Sequence, residues 1–142
     1  MSARTWSAVI AGAIGLIGLG AVAGDAVHGI NFGKQEYLSK CAVCHGESGV
    51  GAGDSTEALM RRPADLATIA RRNGGAYPTQ LVWLAIDGRT LDDSVQRHRE
   101  MPIWGQDYRN EALANPEYRA PEVFVSQRIG ALVDYVGTLQ VN

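Results

Sequence analysis

Apolar residues are distributed along this chain in two ways. From Ala8 to Gly24 they form an uninterrupted, uncharged run, whereas beyond Asp25 they recur at three- and four-residue intervals between polar positions. The second pattern is that of amphipathic helices. It predicts a helix over 31–40 carrying Phe32, Gly33, Tyr37 and Leu38, and a short helix over 64–72 stopped by Asn73-Gly74-Gly75. A clearer helix over 79–87 opens after Pro78, carries Leu81, Leu84 and Ala85, and is stopped by Gly88. The last helix, 121–140, places Val125, Ile129, Leu132, Val133, Val136 and Leu139 on one stripe. The glycine-rich stretch 47–54 lacks an apolar period and reads as a loop. Residues 107–122 are polar and interrupted by Pro116 and Pro121, and read as a surface connection. No segment alternates as a strand does, so the expected fold is all-α.

The uncharged run has the marks of an export signal. Arg4 precedes it, Ala21-Val22-Ala23 closes it with small residues, and the first acid follows at Asp25. The expectation is a signal peptide over 1–23, a single domain over 24–142, and a periplasmic location. The competing reading keeps the segment as an uncleaved membrane anchor, because about 17 uncharged residues lie at the lower limit for spanning a bilayer. Composition agrees with one globular domain: 142 residues, 46% apolar and 20% charged. Thirteen Lys and Arg against 15 Asp and Glu give a formal charge of −2, which argues against nucleic acid as a partner.

An exported chain with two cysteines raises the question of what they do. Cys41 and Cys44 lie too close together for a disulfide to constrain much of the unfolded chain. His45 completes Cys41-Ala42-Val43-Cys44-His45, the C-x-x-C-H spacing of c-type haem attachment: two thiols add across the vinyl groups of one porphyrin and the adjacent imidazole ligates iron. A zinc site would need further nitrogen or sulfur ligands, and beyond this motif the chain has only His28 and His98 and no other cysteine. One covalently bound haem c is the expected cofactor.

With this motif in place the chain resembles the class I c-type cytochromes from about residue 30 to residue 139. The resemblance is carried by Gly33 and Tyr37, the Cys41–His45 motif, the glycine-rich stretch 46–53, Met101-Pro102-Ile103-Trp104-Gly105, and the terminal Leu132-Val133-Asp134-Tyr135-Val136-Gly137-Thr138-Leu139. It implies a cytochrome c-like fold of about four to five helices wrapped around one haem. In such folds the first and last helices cross closely, and Gly33 with Gly130 or Tyr135 would allow that approach.

Haem iron needs a sixth ligand, and a His/Met pair raises the reduction potential. Met101, 56 residues after His45 and followed by Pro102, is the candidate that both the loop chemistry and the resemblance favour; Met60, His98 and an open position compete with it. The resemblance further implies that a carbonyl of a proline loop accepts the second ring N–H of His45, with Pro63 the candidate. Trp104 is the foremost of several candidate donors to the haem propionates, the others being Arg71, Arg72, Tyr77, Trp83 and Arg99.

No nucleophile–base pair, phosphate loop or second cofactor signature accompanies these residues. The expectation is therefore a non-enzymatic one-electron carrier. Alternatives are a tethered cytochrome subunit of an oxidoreductase or oxidase complex, and a haem protein whose labile methionine admits nitric oxide, carbon monoxide or peroxide. Redox partners of the carrier would be a dehydrogenase, a quinol-oxidising complex or a terminal oxidase. Arg61, Arg62, Arg71, Arg72, Arg97 and Arg99 concentrate in the central third and suggest a basic patch for an acidic partner.

Overall fold

A computed structural model describes residues 21–92, 94 and 99–141, with the side chains of 21–28 excepted. Six α-helices and no strand occur among them: α1 (Ala21–Lys40), α2 (Ala42–His45), α3 (Ile69–Arg72), α4 (Thr79–Asp87), α5 (Trp104–Ala114) and α6 (Pro121–Thr138), with one 3₁₀ turn at Thr56–Ala58. The all-helical expectation holds. The anchor or signal segment lies outside the described residues as far as residue 20, and no described helix is long and apolar enough to cross a membrane.

Helix α6 organises the body. Its stripe is buried as the 3.6-residue period requires, with Val125, Ile129, Leu132, Val133 and Val136 all in the core, and it packs against α1, α5 and α4. The crossing with α1 is close because Gly33 has no side chain: a Cβ there would fall inside the Ala131 carbonyl, with Tyr135 Cβ next at 3.1 Å. One turn on, the Tyr37 and Tyr135 rings lie 5.2 Å apart. Gly130, the other expected contact, instead faces Trp83.

Several expectations are corrected. Helix α1 is already formed at Ala21, the first described residue, ten residues before the predicted boundary. Residues 107–114, read as part of a surface connection, belong to α5, which begins at Trp104. Its inward positions Tyr108 and Ala112 are fully buried, while Gln106, Asp107, Asn110 and Glu111 are exposed. The helix was obscured because only every fourth residue needs to be apolar, and Pro116 follows its end rather than interrupting it. The predicted 64–72 helix shrinks to Ile69–Arg72 because the chain before it bonds elsewhere. The Leu66 N–H donates to the Gly49 carbonyl (2.6 Å), and the Leu66 carbonyl accepts from Gln140 Nε2 (2.7 Å). Helix α4 has the predicted limits and ends on Gly88, but Leu81 and Ala85 face solvent while Val82 and Ile86 are buried. Its run of six apolar residues carries no period from which to choose a face.

One buried charge was not anticipated. Glu36 of α1 is 6% exposed, pairs with Arg128 of α6, lies 3.6 Å from Lys40, and accepts from the Tyr108 hydroxyl of α5 at 3.1 Å. It ties three helices at one point, and its partners satisfy the carboxylate.

Gly33→Ala should destabilise the fold by about 1–3 kcal/mol through overpacking. Gly29→Ala, whose Cβ meets nothing within 4 Å, should leave stability unchanged or raise it by up to about 1 kcal/mol. Urea unfolding of the two variants checks the pair.

Candidate cofactor site

The Cys41–His45 motif folds as a single helical turn at the end of α1. The N–H groups of Cys44 and His45 both reach the Cys41 carbonyl, at 3.1 and 2.9 Å. Gly46, at φ 75°, ends the turn, and its carbonyl accepts from the buried Tyr37 hydroxyl at 2.7 Å. The turn leaves its last carbonyls without helical partners, and the glycine-rich loop supplies them. Val43 accepts from the Ser55 N–H (2.9 Å), Cys44 from the Gly53 N–H (3.1 Å) and the Thr56 hydroxyl (3.0 Å), and His45 from the Gly51 N–H (2.8 Å). This approach requires glycine at 53, where a Cβ would overlap the carbonyls of Ala42 and Val43.

His45 donates from Nδ1 to the Ala64 carbonyl at 3.0 Å. A carbonyl can only accept, so Nδ1 carries the proton and Nε2 of the neutral ring keeps its lone pair. The expected acceptor was Pro63; it is the next residue. Pro63 holds another position, its carbonyl abutting Gly51 where a side chain would otherwise stand.

Cys41, Cys44, His45, Pro63, Met101 and Trp104, separated by up to 63 positions in the chain, line one cavity of about 310 Å³. Both thiols are free. Burial, reinforced by Cys44 and opposed by Lys40, pushes the Cys41 thiol up to about 12, so it is protonated at neutral pH. Met60, the rival thioether, is 93% exposed and does not line the cavity; His98 lies outside the described residues.

Among the side chains expected to meet propionates, Trp104 and Arg99 line the cavity. Tyr77 is committed to the Val133 carbonyl (2.9 Å) and Arg72 to Thr68 and the Asp65 carbonyl, while Trp83 packs at Gly130 and Arg71 is exposed. Lys40, Arg61 and Arg62, which were not among those candidates, also line it. The adjacency of Arg61-Arg62 to Pro63 was the available signal.

The residues present are of the kinds that could hold a cofactor through thiols and a metal-ligating imidazole. One turn offers two thiols and an imidazole with a free lone pair, and the same cavity offers a thioether. Among the described residues no group of three His, Cys, Asp or Glu is placed to hold a metal ion by itself. Comparisons with protein-family models, curated proteins and solved structures find no match to this chain. The site is therefore read from its own chemistry.

Gly53→Ala should destabilise the motif turn by about 1–3 kcal/mol or more, since the alanine displaces backbone rather than a flexible side chain. Gly74→Ala, with nothing near its Cβ but a left-handed φ of 69°, should cost about 1 kcal/mol. Thermal melts of both variants compare the two effects.

Proposed function

We propose that this protein is a monohaem c-type cytochrome, with a cytochrome c-like fold, that carries single electrons between redox proteins. The observation that carries the reading is the cavity in which both motif thiols, the imidazole of His45 and the thioether of Met101 meet. Haem bound there supplies a reversible one-electron couple at iron. The chain's part is to hold it: Cys41 and Cys44 would each form a thioether, the thiol hydrogen passing to the second vinyl carbon, so that no oxidant is consumed.

His45 is set for its ligand role by the Ala64 carbonyl, which fixes the tautomer and the ring orientation. Met101 stands in a loop whose backbone is held at several points, and this favours a filled sixth position over a labile one. Were His45 and Met101 both to hold the haem iron, no place would be left for substrate and only electrons would pass. Trp104 offers an indole N–H beside an apolar ring, suited to a propionate at the edge of the same cavity. The leader pattern over 1–23 supports export to the periplasm, where covalent haem would be attached.

Arg61 and Arg62, both exposed, line the cavity in a chain whose net charge is −2. That local excess suits an acidic partner surface, whether on a dehydrogenase, a quinol-oxidising complex or a terminal oxidase.

The purified exported protein should exceed its polypeptide mass by one haem, keep its colour after denaturation, and show a sulfur-to-iron charge-transfer band when ferric. A mass equal to the polypeptide alone would refute the reading. Met101→Ala should abolish the band and give a high-spin or exogenously ligated ferric spectrum, whereas Met60→Ala should leave it unchanged. A high-spin wild-type spectrum would instead support small-ligand chemistry. Electron transfer to an acidic partner should slow as ionic strength rises, and Arg61→Gln with Arg62→Gln should flatten that dependence.

A further inference from the structure

Resting on the haem reading above, we propose that Arg99 and Glu100 form a two-sided clamp that positions Met101 and so sets how firmly its sulfur holds the iron. The two residues precede Met101 and both line the cavity. Their side chains bind different parts of the fold.

Arg99 works toward α4. Its Nε donates to the Met101 carbonyl (2.7 Å), and its Nη2 donates to the Pro102 carbonyl (3.0 Å) and the Ala85 carbonyl (2.6 Å). Ala85 belongs to the last turn of α4, where carbonyls lack helical donors, so one guanidinium caps that helix and fixes the backbone on either side of the Met101–Pro102 bond. A lysine at this position carries the charge but lacks the planar fork that reaches three carbonyls.

Glu100 works toward the loop 59–64. Its Oε1 accepts from the Met60 N–H (2.7 Å) and its Oε2 from the Arg61 N–H (2.9 Å). Three residues farther along that loop is Ala64, whose carbonyl holds the His45 ring. The carboxylate thus joins the segment that carries the thioether to the segment that orients the imidazole, by charge-assisted hydrogen bonds to backbone that a mobile loop could not keep in register.

The test uses ferric holoprotein and imidazole as a competing ligand for iron. Arg99→Gln and Glu100→Gln should each weaken the sulfur-to-iron band and tighten imidazole binding about tenfold or more, the effect expected from losing a charge-assisted contact. Arg99→Lys should fall between Arg99→Gln and wild type. Glu57→Gln, which alters an exposed acid outside the cavity, should match wild type. A drop in melting temperature with unchanged imidazole affinity and band would mean ordinary structural support and overturn the clamp while leaving the haem reading intact. A wild-type protein with haem but without the sulfur band would overturn the clamp and Met101 ligation but not haem attachment, whereas one without haem would overturn both. Should the glutamine variants fail to mature, amide exchange in the wild-type holoprotein decides: slow exchange at Met60 and Arg61 supports the clamp, and exchange at unprotected rates overturns it.

Discussion

A helical turn of four residues fixes more backbone dihedrals than its few internal hydrogen bonds can offset, so Ala42–His45 keeps its geometry only through its neighbours. Each restraint comes from a different part of the chain. Helix α1 continues into the turn through the Cys41 N–H to Tyr37 carbonyl bond and reaches past it with the Tyr37 hydroxyl to Gly46. The glycine-rich loop folds back and donates to the carbonyls of Val43, Cys44 and His45. Ala64 receives the imidazole. Since two thiols and an imidazole can act on one bound group only at fixed separation, the glycine loop supports the site although it does not line the cavity.

These restraints are transmitted to the rest of the fold by a short list of side chains that bond backbone at a distance. Gln140 is the clearest. Its Oε1 accepts from the Ala70 N–H and its Nε2 donates to the Leu66 and Val136 carbonyls, which fastens the end of α6 to the segment following Ala64. The Val141 N–H adds a bond to Ala67. In the other direction Lys40, which lines the cavity, lies 3.6 Å from both Glu36 and Glu111 and sits over the Tyr108 ring, so the cavity edge is joined to the buried charge cluster that unites α1, α5 and α6. Burial holds the Tyr37, Tyr77 and Tyr108 hydroxyls well above their ordinary ionisation range, so each is a neutral donor to an oxygen of the fold.

What could be read in the sequence divides along a physical line. The motif at 41–45, the stripe of α6 and the limits of α4 are encoded locally, by spacing, by period and by a glycine stop, and each stands where the sequence put it. Met101, Trp104 and Pro63 were singled out together with the motif and all three line its cavity, although the carbonyl that holds His45 is that of Ala64. What was lost depends on partners far along the chain. The segment 64–68 has helical composition but surrenders its backbone groups to Gly49 and Gln140. Helix α5 hides behind a polar surface that only Tyr108 and Ala112 betray. Glu36 has the look of any surface acid until Arg128, 92 residues later, is brought against it.

The lining of the cavity, about 310 Å³, bears on what it could contain: Leu59, Met101 and Trp104 give it an apolar part beside the two thiols and the imidazole. Helices α1, α4, α5 and α6 supply a core around Ile129 and Leu132, against which Leu66, Met101 and Trp104 also pack, and Glu100 ties the loop 59–64 to the segment that carries Met101. An apolar group bound in the cavity would pack against both loops, and the polar contacts from Arg99, Glu100 and the Ala64 carbonyl fix the backbone that would receive it.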